Sequence, residues 1–216
     1  MRALTRHVAA MPVLVGALLV LSGCGESVSD EDLFERARTV NFEYKAAVAD
    51  VQMQILDGEW RLERYGDTPR SCGNDGYDFR FGRTTPEGWR IDGTPAEAAH
   101  RIGEWLDENG WTDIKTRTYT GEVPNVAIQA AKPDAHVERI TIDFSPGELF
   151  DSATIYADST CEPGDWATIA EIQLPGATTA TNVEVEDRPA TEHPTARLSF
   201  GYNEDGTPRY WPDESD

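Results

Sequence analysis

Residues 139–157 read RITIDFSPGELFDSATIYA, and this stretch decides the predicted fold. Every second residue of 140–144 is apolar, and every second residue of 153–157 is apolar as well. Alternate side chains lie on one face of a strand, so each half of the stretch predicts a strand with one buried face. Pro146-Gly147 predicts a turn between the halves, which makes the two strands antiparallel neighbours.

Further strands are predicted upstream. Alternating or apolar stretches indicate strands around 60–63, 77–81, 114–119 and 126–130, with a turn at 121–124 between the last two.

Two amphipathic helices interrupt these strands. The first begins after Ser29, a good N-cap with Asp32 three residues on, and ends at Asp57-Gly58. Its apolar residues recur at steps of three and four: Leu33, Ala37, Val40, Tyr44, Val48, Val51 and Ile55. Such a stripe indicates packing on the protein's own domain, and a coiled-coil partner surface is the alternative.

The second helix has clear start and stop signals. Thr94 is its N-cap, Pro95 occupies the first helical position, Glu97 completes a capping box, and Asn109-Gly110 ends it. Its buried face is predicted to consist of Ala98, Ala99, Ile102, Trp105 and Leu106.

The resulting element order is α-β-β-α-β-β-β-β, which lacks the regular strand–helix alternation of a parallel sheet. It predicts an α+β fold, an antiparallel sheet with two helices packed on one face. After it, 175–194 is rich in Thr, Ala, Pro and acid, which predicts an irregular, exposed segment. Alternation over 198–202, the Asp205-Gly206 turn signal and 209–211 then predict a C-terminal hairpin.

The N-terminus is typical of an exported protein. Arg2, Arg6 and His7 precede a run of 14 mostly apolar residues, 8–21, which is shorter than the roughly 20 needed to span a membrane. The run ends in Leu21-Ser22-Gly23-Cys24, which resembles the lipobox of bacterial lipoprotein precursors. The resemblance implies a diacylglyceryl group on Cys24 and cleavage just before it. The alternatives are an ordinary signal peptide and an uncleaved anchor.

The cysteine count agrees with this interpretation. The chain has three cysteines, Cys24, Cys72 and Cys161, and lipidation of the first leaves an even pair in an oxidising compartment. Cys72 and Cys161 are therefore predicted to form a disulfide, with Cys161 on the same strand face as Ala153, Ile155 and Ala157. Metal binding or a catalytic thiol is the alternative, although neither cysteine has the spacing of a CxxC or CxxH motif.

The charge limits the class of partner. The net charge is −20, and removal of residues 1–23 with Arg2 and Arg6 would bring it to about −22. Such a field repels nucleic acid and anionic lipid headgroups, so no nucleic-acid partner is predicted and the domain should stand away from the bilayer. Arginine outnumbers lysine 16 to 3, which is consistent with a GC-rich, actinobacterial genome.

One weak metal candidate is present. Glu97, His100 and Glu104 could share one face of the second helix, and two carboxylates with a histidine can bind zinc. The alternative is a solvated polar face, because the apolar stripe lies elsewhere on the helix. His136 and His193 fall in predicted loops, and the sequence contains no GxSxG, HExxH, phosphate-binding or EF-hand motif. No catalytic residue, metal or cofactor is therefore predicted.

The layout as a whole is similar to that of the LppA-like lipoproteins of actinobacteria. The features shared are an acylated cysteine, an N-terminal helix, a Pro-started helix, and Cys72 and Cys161 around the core strands. The likeness covers about Ser29 to Gly164 and implies a fold but no chemistry. The sequence divides into a signal peptide (1–23), a lipidated tether (24–28), an α+β domain (29–164) and an acidic, partly irregular C-terminal segment (165–216).

The predicted function is that of a lipoprotein on the extracytoplasmic face of the cell membrane. Lipid on Cys24 anchors it, and its domain is expected to bind a protein, glycan or lipid partner without catalysis. The alternative is an envelope hydrolase or cation-dependent enzyme with a site near His100. Trp89 and Trp166 follow predicted turns, where their rings could stack on a ligand or pack on the rim of the core.

Overall fold

A computed structural model describes residues 28–121, 124–175, 189–203 and 205–211. The predicted signal peptide, Cys24 and most of the tether lie outside the described residues, as does most of the segment predicted to be irregular. Within the part of the chain that is described, no helix is both long and apolar enough to cross a membrane.

Three α-helices are present in the described residues: α1 (Asp30–Ile55), α2 (Pro95–Glu108) and α3 (Trp166–Gln173). The first two begin where the sequence predicts. Ser29 accepts a hydrogen bond from the backbone N–H of Asp32, and Thr94 and Glu97 form the full capping box. These caps satisfy backbone groups that a helix leaves unpaired at its start, which is why the boundaries could be predicted.

The strands of the described residues form three antiparallel sheets. Their bounds are β1 (Trp60–Tyr65), β2 (Arg70–Cys72), β3 (Gly76–Asp78), β4 (Arg80–Thr84), β5 (Thr112–Tyr119), β6 (Asn125–Lys132), β7 (Val137–Ser145), β8 (Ser152–Ser159), β9 (Glu162–Pro163), β10 (Thr191–Glu192), β11 (Ser199–Tyr202) and β12 (Pro208–Tyr210). The main sheet has the order β10-β1-β4-β8-β7-β6-β5, beside a small sheet β2-β3-β9 and the hairpin β11-β12.

Both predicted helices pack on one face of the main sheet. Helix α1 contacts β7 and β8, α2 contacts β5, β6 and β7, and the two helices contact each other. The alternating residues of 140–144 and 153–157 are buried in the core beneath them. The predicted α+β class, and the antiparallel pairing of β7 with β8, are therefore confirmed.

The single strand predicted over 77–81 is wrong in detail. Tyr77 lies in β3 of the small sheet, and Phe81 lies in β4 of the main sheet. Phe79 joins them, and its backbone exchanges hydrogen bonds with Ser159, whose hydroxyl accepts from Phe79 N at 2.9 Å. The alternation continues through the junction because all three rings face the same core, so the pattern alone does not show that the chain changes sheets.

The predicted disulfide is present. Cys72 and Cys161 are bonded, with their Cα atoms 5.9 Å apart. Cys161 lies beyond the end of β8 and is exposed, so its predicted position on the buried strand face is wrong. The bond joins the β2–β3 hairpin to the segment that enters β9, and so holds the small sheet together.

The C-terminal part of the chain contributes to the core. Ile169 of α3 and Phe200 of β11 are fully buried in the same apolar cluster as the helices and the main sheet. Phe200 lies between Phe34 and Phe79, with ring centroids 5.2 and 5.8 Å away. The predicted hairpin is confirmed as β11 paired with β12.

The segment predicted to be irregular ends in a strand. Thr191–Glu192 forms β10 and pairs with the outer edge of β1. Glu192 approaches Arg83 to 2.6 Å, and Arg83 is almost completely buried. A buried guanidinium needs a carboxylate partner, so this ion pair gives a physical reason for β10 that the composition of the segment does not reveal.

Candidate functional site

The metal candidate on α2 is not assembled into a site. His100 Nε2 lies 3.5 Å from Glu104 Oε1, and both side chains are largely exposed. The Glu97 carboxylate is part of the capping box at the start of α2, where it accepts hydrogen bonds from the backbone N–H and the hydroxyl of Thr94. These bonds lower the pKa of Glu97. The described residues contain no group of three His, Cys, Asp or Glu side chains arranged to hold a metal ion.

His136 forms a bridge between two parts of the chain. Its Nδ1 lies 3.0 Å from Glu162 in β9, and its Nε2 lies 3.4 Å from Glu43 in α1. The carboxylates approach opposite edges of the imidazole ring, which is the geometry of a bridge between α1 and β9 rather than of a metal chelate. Sequence reasoning placed His136 in a loop and found none of these partners, which are far from it in the chain.

A groove runs beside this bridge along the first half of α1. It has a volume of 660 Å³, and Thr39, Val40, Tyr77, His136 and Glu162 are among its lining residues. Burial, with a smaller contribution from the Glu162 carboxylate, raises the pKa of Tyr77 to about 12.

A second cavity, here called the tryptophan cleft, lies between α2 and the loop that follows β4. It has a volume of 410 Å³, and its main lining residues are Trp89, Ile91, Arg101, Ile102, Trp105 and Phe144. The volume falls within the range of small-molecule sites, which are mostly apolar with a few placed polar groups. Ile91, Ile102 and Phe144 belong to the buried core, and the two tryptophans are half-buried and pack against that core.

The loop that carries Trp89 is held rigidly. Arg90 donates to the backbone carbonyls of Gly147 and Leu149 in the turn between β7 and β8. The Asp151 carboxylate accepts from the backbone N–H groups of Ile91 at 2.9 Å and Gly147 at 3.0 Å, and these two bonds lower its pKa. These hydrogen bonds position Trp89 and Ile91 beside the cleft, and ordering a loop in advance reduces the entropy cost of binding.

Arg101 gives the tryptophan cleft a cation. Its guanidinium donates to the backbone carbonyl of Asp92 at 2.7 Å, which holds it at the rim of the cleft. Among the described lining residues, none carries a hydroxyl, a thiol or an imidazole, and Asp92 is the one carboxylate. The arrangement suits the binding of an apolar or aromatic group with a negative end.

The sequence predicted the loop position of one tryptophan of this cleft but not the cleft itself. Trp89 was expected in a loop, where the structure places it, and Trp105 was expected in the buried face of α2, where it is only partly buried. Trp166 begins α3 and is exposed, away from the cleft. The role of Arg101 was missed, since its meeting with Trp89 depends on how the loop docks onto α2.

Comparisons with known proteins add no relatives. No family model matches the chain, and neither the curated proteins nor the solved structures include a significant match. The similarity in layout to LppA-like lipoproteins stays a prediction.

Proposed function

We propose that this protein is a lipid-anchored lipoprotein of the extracytoplasmic face of the cell membrane, and that its domain is a non-enzymatic binding module. Three features support the anchored location: the lipobox at 21–24, the short apolar run before it, and the disulfide, which is typical of oxidising compartments. Two acyl chains on Cys24 would hold the protein stably, because two lipid groups are what stable anchoring requires.

The tryptophan cleft is the observation that carries the binding function. Its apolar floor, its two half-buried indole rings and the guanidinium of Arg101 together suit a small amphipathic ligand with an aromatic or aliphatic body and an anionic end. The alternative enzyme near His100 gains no support from the geometry, since that side chain is exposed and has only Glu104 beside it.

The test is calorimetric titration of the purified mature protein, which begins at Cys24, with 2-naphthoate, which combines a double aromatic ring with a carboxylate. We expect saturable binding that weakens about tenfold in Trp89→Ala, because the variant loses one stacking surface. Arg101→Gln should weaken naphthoate but leave the uncharged analogue 2-naphthalenemethanol unchanged, since only the carboxylate uses the guanidinium.

Trp166→Ala is the matched control, because it removes an exposed tryptophan outside the cleft. It should bind naphthoate as the natural chain does. Absence of saturable binding, or an equal loss in Trp89→Ala and Trp166→Ala, would contradict the assignment of the cleft.

A further inference from the structure

The turn between β7 and β8 carries apolar side chains on the protein surface. Residues 146–151, PGELFD, form this turn, and we call them the apolar tip. Leu149 is 84% exposed, the most of any large apolar side chain in the described residues, and the adjacent Phe150 is 36% exposed. Single exposed apolar residues are common on protein surfaces, whereas adjacent ones beside a cleft indicate a contact surface.

The apolar tip is held beside the tryptophan cleft of its own chain. Arg90 lines the cleft and donates to the three backbone carbonyls of residues 147–149. On the other side of the turn, the backbone N–H of Asp151 donates to the carbonyl of Trp89 at 3.0 Å. The two exposed side chains of the tip are not among the described residues that line the cleft. An exposed apolar group and a partly apolar cavity therefore lie side by side on one surface.

The tip has the chemistry that the tryptophan cleft is suited to bind. Glu148 is exposed and precedes the two apolar side chains, so the tip is an apolar group with an anionic end. The cleft offers the indole rings of Trp89 and Trp105 and the exposed guanidinium of Arg101. Opposite charges on facing surfaces favour one orientation of a contact. Since its backbone bonds keep each tip beside its own cleft, the cleft that can receive it belongs to another molecule.

We propose that two copies of this chain associate about a two-fold axis, with the apolar tip of each in the tryptophan cleft of the other. Because tip and cleft are neighbours, an axis between them forms both contacts at once, and such an interface closes at two copies. Leu149 packs on the indole rings in this arrangement, and Glu148 faces Arg101 of the second copy. The inference rests on the cleft assigned under the proposed function and adds that a second copy competes with the small ligand for it.

The net charge determines the conditions under which the copies associate. Each chain has a net charge of −20, so two copies repel each other at long range. At an ionic strength of about 0.15 M the Debye length is about 8 Å, so the repulsion between distant charges is screened. Apolar contacts do not depend on charge, and we therefore expect association to be measurable at this salt concentration.

The experiment is analytical ultracentrifugation of the mature protein, which begins at residue 24, at an ionic strength of about 0.15 M. Cys24 is replaced by Ser, so that neither lipid nor a disulfide through this residue joins the copies. We expect a reversible equilibrium between monomer and dimer. Leu149→Ser should weaken the dimer at least about tenfold, because it removes the apolar contact of the tip from both halves of the interface.

Two further variants locate the contact. Val28→Ser is the matched control, because Val28 is 52% exposed and precedes α1, whereas Ile55 at the other end of that helix lines the cleft. It should dimerise as the natural sequence does. Glu148→Arg should weaken the dimer, and its combination with Arg101→Glu should restore most of the affinity, because opposite charges then face each other again.

Addition of 2-naphthoate separates this inference from the proposed function. The ligand should shift the natural sequence toward monomer, because it occupies the same cleft, and it should bind the Leu149→Ser variant at least as tightly. A protein that stays monomeric, an equal loss in Leu149→Ser and Val28→Ser, or a combined charge reversal without rescue would overturn the dimer, even if naphthoate binds. A dimer that responds to the variants as expected while naphthoate fails to bind would refute the small-ligand function alone.

Discussion

Replacement of Phe200 with alanine tests whether the C-terminal hairpin is part of the core. The side chain is fully buried and contacts the rings of Phe34, Phe79 and Phe42 at centroid distances of 5.2, 5.8 and 6.4 Å. Loss of a buried phenylalanine usually costs about 3 to 5 kcal/mol, through lost transfer free energy and the cavity left behind. A typical domain has roughly 5 to 15 kcal/mol of stability, so the loss should be a large fraction of the total.

The assay is urea unfolding of the oxidised protein, followed by circular dichroism. We expect the unfolding free energy of Phe200→Ala to fall by about 3 to 5 kcal/mol with an unchanged dependence on urea. Tyr210→Ala is the matched control, because Tyr210 lies on the same hairpin but is exposed, and it should change the free energy by less than about 1 kcal/mol. Equal, small effects of the two substitutions would show that the hairpin does not pack as described.

Two further predictions concern the disulfide and acid stability. Replacement of Cys72 and Cys161 together by alanine should lower the unfolding free energy by about 2 to 5 kcal/mol, because the bond closes a separation of 89 residues. Peptide mapping without reduction should recover the bonded pair, and two free thiols in the folded protein would contradict the disulfide. Burial raises the pKa of Asp158, but hydrogen bonds from Arg80 and Arg139 outweigh it and hold that pKa below its ordinary value. The ionised carboxylate therefore stabilises the folded protein at neutral pH, and this contribution is lost as the pH falls through the folded-state pKa. Asp158→Asn should therefore lower stability at pH 7 and flatten the acid limb of the stability profile, and an unchanged acid limb would refute the role of this cluster.

Local signals explain what could be predicted from the sequence. The capping residues of α2 act within three or four residues of one another, so Thr94, Pro95 and Glu97 are sufficient to locate its start. The alternation in 140–144 and 153–157 reports burial on one face, and a turn between two such strands specifies their pairing. The disulfide followed from the even number of cysteines left after Cys24, an argument that needs no geometry.

Longer-range effects explain what was missed. The sheet change at Phe79 depends on Ser159, 80 residues away, and β10 depends on the pairing of Glu192 with Arg83, 109 residues away. Helix α3 is only eight residues long, too short for a clear apolar periodicity. Its N-cap was a usable signal, because Asp165 accepts from two backbone N–H groups of the first turn.

The tryptophan cleft arises from residues that meet only in three dimensions, because the Trp89 loop must dock against α2 to form it.

The anchored location is tested most directly by mass spectrometry of the N-terminal peptide of the protein extracted from membranes. We predict that the peptide begins at Cys24 and carries the mass of a diacylglyceryl group, and that Cys24→Ala leaves the membrane fraction or accumulates as uncleaved precursor. An unmodified Cys24 in the membrane-bound protein, or cleavage at another residue, would contradict the proposed lipid anchor.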